Sequence, residues 1–237
     1  MKALLINGSP RERGCTYTAL SELAQALEAE GIETEIIQAG ARTTHGCIAC
    51  GKCRETGKCV FDDVVNELAP KFEHLRVVDE GAGNGHALHL AAGKLARALV
   101  HVLAQADALV IGAPVYYASP AGGAISFMDR LFHSTGIDMT MKVGAAVVSC
   151  RRGGNTSSFD VLNKYFTIAG MPIASSQYWN MVYGNTPEEV RKDLEGLQTM
   201  RTLGRNMAFL MKSIALGKAQ YGLPKKEKSI VTSFHHD

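Results

Sequence analysis

The sequence carries almost no charge imbalance: 25 Lys and Arg stand against 23 Asp and Glu, a formal +2 over 237 residues. A chain that binds nucleic acid or an anionic membrane surface mainly by electrostatics needs a basic excess, so neither is expected as a partner. Long apolar runs are missing as well. No stretch is long enough to span a bilayer, and the opening run Ala3 to Ile6 is too short for a signal-peptide core. A cytoplasmic location without membrane insertion is therefore expected. Two phosphate-loop signatures are absent: the Gly-Lys-Ser/Thr ending of a nucleoside-triphosphate loop and the GxGxxG dinucleotide spacing. Tryptophan occurs once, at Trp179, where it reads as a core or interface residue more readily than as a stacking platform. No convincing general acid–base pair stands out, so no catalytic side chain is assigned.

What is present is an ordinary globular composition, 46% hydrophobic and 20% charged, enough for one well-buried core. Short apolar runs alternate with helical periodicity. Strands are expected at Lys2 to Ile6, Glu33 to Ile37, Asp107 to Val115, Lys142 to Cys150 and Pro172 to Tyr178. Helices are expected at Thr16 to Ala29, from about Asp62 to near Pro70, at Ala124 to Phe132, and from Ser157 to Ala169. A long terminal helix opens at Pro187 and Glu188 and is broken or ended near Gly217. Strands apolar on both faces and separated by helices mean a parallel sheet covered on both sides. The fold class is thus α/β, a flavodoxin-like doubly wound sheet of order 2-1-3-4-5 in a single domain over residues 1–237. Its ligand crevice lies beyond the carboxyl ends of strands one and three.

Three loops fall at that edge. NGSPRERGCTYT, Asn7 to Thr18, combines Gly8 and Gly14 with the hydroxyls of Ser9, Thr16 and Thr18 ahead of a helix N-terminus. That is a phosphate cradle, with Arg11 or Arg13 as added charge, or else a polar strand-to-helix turn. GAPVYYASPAGG, Gly112 to Gly123, offers a rigid aromatic edge at Pro114, Tyr116 and Tyr117, or tyrosines packed at a strand end. SCRRGGNTSS, Ser149 to Ser158, places Arg151 and Arg152 beside glycines, where they could meet a ring carbonyl or simply form a solvated basic turn.

The loop at residues 45–61 packs four of the six cysteines, Cys47, Cys50, Cys53 and Cys59, into one run. In a reducing compartment such thiols are metal ligands or redox groups before they are disulfides. Structural zinc favours two separated C-x2-C pairs. Three thiols at every third position instead match the opening of ferredoxin-type ligation. The order of preference is iron–sulfur, then zinc, then an unmetallated thiol loop.

GSPRxxGxT, GAPVYYASPAGG and SCRRGG, with the later SSQYWNMVYGNTPEEV and LEGLQTMRTLGRNMAFL, resemble the NADPH-dependent FMN reductase group of flavodoxin-like proteins. The C-x2-C-x2-C-x5-C run is similar to the motif of its iron–sulfur flavoprotein branch. The resemblance implies FMN with its phosphate at Ser9, Arg11, Gly14, Cys15 and Thr16. It places Pro114, Val115, Tyr116, Tyr117, Ser149, Arg151 and Gly153 beside the isoalloxazine. It further implies a 4Fe-4S cluster on the four cysteines, NAD(P)H as co-substrate, and a homo-oligomer. The expected activity is an FMN-dependent oxidoreductase that passes electrons from NAD(P)H, or a ferredoxin-type redox partner, to a small-molecule acceptor such as a quinone or flavin. The alternative is a non-enzymatic electron carrier between proteins.

Residues 73–105 read as an atypical insertion. VVDEGAGNG resembles a lone S-adenosylmethionine loop without partner motifs, and an extra βα unit or lid is the preferred reading. His86, His89 and His101 read as helix-surface residues.

Overall fold

The computed structural model describes residues 1–43, 45–56, 58–68, 106–134, 138–228, 230 and 232. The insertion at 73–105, with its glycine loop and three histidines, lies outside the described residues. In chain order the elements begin with β1 (Lys2–Asn7), α1 (Cys15–Ala29), β2 (Glu33–Gln38), α2 (Lys52–Thr56) and α3 (Val64–Leu68). They continue with β3 (Ala108–Tyr116), β4 (Ser119–Pro120), α4 (Gly122–Ser134), β5 (Val143–Cys150) and α5 (Asn155–Ile168). The chain closes with β6 (Met181–Tyr183), α6 (Pro187–Val190) and α7 (Leu194–Tyr221).

The sheet runs β2-β1-β3-β5-β6, its main-path pairs all parallel, and the two-residue β4 pairs antiparallel with the end of β3. Setting β4 aside, this is the flavodoxin-like order expected from the sequence. Alternation along each strand splits the core in two. Leu4, Ile6, Leu109, Ile111, Ala146 and Val148 face the layer of α3, α4 and α5. Ala3, Leu5, Ala108, Val110, Val143, Ala145 and Val147 face α1 and α7. The stripe Ala19, Leu20, Leu23, Ala24 and Leu27 on α1 is buried at helical spacing, which is why that segment is a helix docked on the sheet. Each such Leu removed from water contributes about 1.5–3 kcal/mol.

Two expectations are corrected. The last strand is not Pro172 to Tyr178: there only Ile173 bridges to Gly144, and β6 forms later at Met181–Tyr183. The reason is polar competition. Ser176 Oγ donates to the Thr199 carbonyl (2.7 Å) and Gln177 Nε2 donates to Thr199 Oγ1 (3.3 Å), drawing the segment toward α7. Asn180 Nδ2 then donates to the Ala146 carbonyl (3.1 Å) and returns the chain to β5. The terminal helix is also two helices. Thr186 caps α6 with Pro187 in its first turn, and Asp193 caps α7 by accepting from the Gly196 N–H at 2.9 Å. It runs through Gly217 and stops at Gly222 (φ 74°). Among the described residues no helix is long and apolar enough to cross a membrane.

Candidate functional site

Sheet register gathers the three loops. Asn7 at the end of β1 pairs with Gly112 of β3, and Pro114 of β3 pairs with Ser149 of β5. The carboxyl ends of three adjacent strands therefore stop side by side, on both sides of the point where the winding reverses. Asn7 is buried and organises the first loop: its Nδ2 donates to the Glu12 carbonyl (2.9 Å) and to Gln38 Oε1 (2.6 Å), while its Oδ1 accepts from the Ser9 N–H (3.2 Å). Ser9, also buried, accepts the Arg11 N–H on its Oγ at 3.1 Å. Gly14 then caps α1 without any side-chain hydrogen bond, and no acidic residue lies in the first turn. The orphan N–H groups and positive dipole end of a 15-residue helix are thus left facing a loop that also carries exposed Arg11 and Arg13. Unpaired N–H groups and nearby guanidinium groups are the donors a phosphate takes.

The second loop is strained. Tyr117 (φ 52°) and Ala118 (φ 58°) lie in succession in the left-handed region, forming a two-residue turn between β3 and β4. Positive φ at both central positions is the type I′ signature, which usually calls for Asn or Gly. Here a tyrosine occupies it with its side chain fully exposed. The turn is held from below: Ser157 Oγ donates to the Ala118 carbonyl at 2.7 Å, and Gly154 (φ 84°) lies so close that a Cβ would sit 2.7 Å from Ala118 Cα. Non-glycine strain of this kind persists where the surroundings over-determine it, and it clusters at ligand clamps. Tyr116, Tyr178, Trp179 and Tyr183 are also substantially exposed. Tyr178 and Trp179 pack at 5.0 Å between ring centroids, so the lone tryptophan is a surface residue, not a core one.

Sequence-predicted residues divide by role. Thr16 is buried, and its hydroxyl is 2.7 Å from that of Ser149, which is also buried; the two tie the first loop to the third. Arg151, Arg152 and Gly153 are exposed on the third loop. Cys15 contacts the Gly184 carbonyl (3.5 Å), and burial pushes both the Cys15 and the buried Cys150 thiols up from their ordinary pKa. Neither is poised as a thiolate nucleophile.

The cysteine loop builds a second centre. Cys47, Cys50, Cys53 and Cys59 all line one cavity, together with Arg130 and His133 of α4. Left-handed turns at Ala49 (φ 51°) and Gly51 (φ 73°) curl the first limb around it. Among the described residues no three His, Cys, Asp or Glu side chains close on a point as a single ion requires. Thiolates in a C-x2-C-x2-C run are a ligand type that iron–sulfur clusters take.

Two residues of this centre are not visible as such in the sequence. Arg130 sits among Phe127, Met128 and Leu131 on an otherwise apolar face of α4 and is 0% exposed. Its guanidinium forks onto Asp63, Nη1 to Oδ2 at 2.5 Å and Nη2 to Oδ1 at 2.9 Å. It also donates to the carbonyl of Phe61 (2.9 Å) and from Nε to Cys59 Sγ (3.2 Å). Burial works against the Arg130 charge, but Asp63 and Cys59 overcome it and hold its pKa above the ordinary value. Breaking such a buried pair from one side costs about 3–5 kcal/mol. The available signal was a lone cation in AISFMDRLF, one helical turn after the apolar Phe127.

Comparison with known proteins agrees with this fold. The sequence pattern of a family described as NADPH-dependent FMN reductase matches residues 1–78 and 79–186. An iron–sulfur flavoprotein of Methanocaldococcus jannaschii is 29% identical over 222 residues, covering 90% of this chain and 99% of its own. Among solved structures, RosB with bound 8-demethyl-8-formylriboflavin-5′-phosphate superposes with a TM-score of 0.63 at 15% identity, over 100% of this chain and 92% of that one. A flavodoxin from the domain Archaea gives 0.52 at 15% identity, over 90% and 99%.

Proposed function

The chain belongs to the NADPH-dependent FMN reductase family, and from that premise we propose that it is an FMN-dependent oxidoreductase with an iron–sulfur centre on its cysteine loop. Electrons come from NAD(P)H or a reduced ferredoxin and go to a small acceptor such as a quinone or a flavin. The observation that carries the reading is the register that sets Asn7, Pro114 and Ser149 on one edge, under an exposed, strained tyrosine turn. Bound FMN would supply the exchange between electron pairs and single electrons, a chemistry the cofactor owns and the protein orients.

The chain's own residues bind and exclude. The uncapped N-terminus of α1, with the Ser9 to Thr16 loop and Arg11, receives a phosphate. Pro114 to Tyr117 form one wall for a flat ring, and Arg151 and Gly153 lie on the neighbouring loop as hydrogen-bonding partners for ring oxygens. Cys47, Cys50, Cys53 and Cys59 hold the metal centre. The iron–sulfur name of the Methanocaldococcus relative supports that assignment, as does the shared cavity.

Purification without oxygen tests it. The expected sample shows flavin bands over a broad visible absorbance, and Cys50→Ala removes only the broad component. NADPH is oxidised in the steady state with a quinone as acceptor. Stoichiometric zinc without iron would end the cluster assignment, and turnover only after adding a redox partner protein would make the chain a carrier.

A further inference from the structure

The guanidinium of Arg130 does more than balance Asp63. It reaches both limbs of the cysteine loop: Nη1 approaches the His45 carbonyl (3.4 Å) ahead of Cys47, and Nη2 donates to the Phe61 carbonyl (2.9 Å) beyond Cys59. The rings of His45 and Phe61 stack at 4.2 Å, closing the loop's two ends on each other, and the guanidinium lies 5.2 Å from the Phe61 centroid. Asp63 alone would satisfy the charge with its two-pronged contact. The remaining N–H, on Nε, is directed at Cys59 Sγ at 3.2 Å.

We propose that Arg130 is a positioning residue for the metal centre: it clamps the two limbs of the cysteine loop and, by giving its Nε–H to Cys59, raises the reduction potential of the cluster held there. The proposal rests on the iron–sulfur reading of the loop. An N–H directed at a ligating sulfur draws electron density from the thiolate and so favours the more negative, reduced state of a cluster. Because Asp63 offsets the positive charge of Arg130, the effect comes mainly from the direction of this N–H and little from net charge. Lysine at 130 keeps the charge against Asp63 but has no planar fork with which to reach sulfur and carboxylate together.

The test uses the full chain loaded with FMN and reconstituted with iron and sulfide without oxygen. Arg130→Lys is compared with wild type. Because a change at a buried ion pair can cost the fold, the double variant Arg130→Met with Asp63→Asn is prepared as well; asparagine can still accept the Val65 N–H that Asp63 accepts at 3.1 Å. A redox titration followed by electron paramagnetic resonance reads the cluster couple, with the flavin couple in the same sample as internal reference. In both variants the cluster couple is expected to move to more negative potential while the flavin couple stays in place, and iron is lost faster to a chelator. Complete loss of iron at full FMN occupancy also supports the clamp. A fully iron-loaded variant whose cluster couple coincides with wild type overturns the proposal, and so does an equal shift of both couples. Wild type that takes up FMN but no iron overturns the cluster reading itself, a failure seen before any variant is compared.

Discussion

Tyr117 is a bulky residue held where glycine belongs. Holding an L-residue in the left-handed region costs about 1–2 kcal/mol, and its exposed ring recovers nothing from burial in the free protein. A ligand face for that ring would account for the strain. Tyr117→Gly is therefore expected to leave the melting temperature unchanged or raised while weakening FMN binding by roughly tenfold, about the contribution of one stacked aromatic. Thermal melts and a fluorescence titration on one preparation check the pair, and equal affinity in the variant would remove the ring from the site. Lys142 at the opposite edge of the sheet gives a pH signature. Burial lowers its pKa from 10.5 to about 8, against the pull of Asp107, while Nζ donates to the Ala106 carbonyl at 2.5 Å. Below about pH 8 the lysine is charged in both states and folding carries the cost of the buried charge. Between about 8 and 10.5 the unfolded chain holds the proton that the folded one has released, so stability rises with pH. Denaturant unfolding across that window should show the rise in wild type and a smaller one in Lys142→Met.

At the level of elements, the site depends on backbones that touch. A Cβ on Gly40, after β2, would lie 2.2 Å from the Gly8 carbonyl oxygen, and one on Gly123, at the start of α4, 2.5 Å from the Gly40 oxygen. The first loop, the turn after β2 and the start of α4 are thus stacked through glycines, and the Gly8 N–H donates to the Gly112 carbonyl at 2.8 Å. Gly40→Ala should cost about 1–3 kcal/mol of stability by overpacking and weaken FMN binding through the displaced first loop. Circular dichroism melts with FMN titration read both effects. Much of this organisation was legible in the sequence. Two-faced apolar strands such as ALVIGA and VGAAVV give the parallel sheet, and its order sets three loop-bearing strand ends beside one another. Hydrophobic pattern could not place β6, because Ser176 and Gln177 bond sideways to α7 through contacts formed only once the helix has docked. Nor could it show Arg130 beneath the cysteine loop, since the partner, Asp63, is 67 residues away along the chain.

For the whole molecule, two apolar layers cover the sheet, and the loops with the candidate binding residues follow its strand ends at one edge. The strand ends that bear the first and second loops are neighbours at the reversal of winding, so one flat ligand can meet both, and Ser149 brings in the third through its hydroxyl contact with Thr16. The cysteine centre hangs from the same framework by α4, the helix that begins just after the strained tyrosine turn and carries Arg130 to the cavity. Among the described residues one sheet thus supports both the edge where the three loops meet and the thiol-lined cavity. The most direct test of the central claim, that three strand-end loops grip a phosphate-bearing redox ring, is an equilibrium titration of flavin-free protein with FMN, followed by flavin fluorescence. Stoichiometric quenching that saturates, and that riboflavin without its phosphate reproduces only weakly, is the predicted result. Fluorescence that stays unchanged with FMN in excess of protein would contradict it.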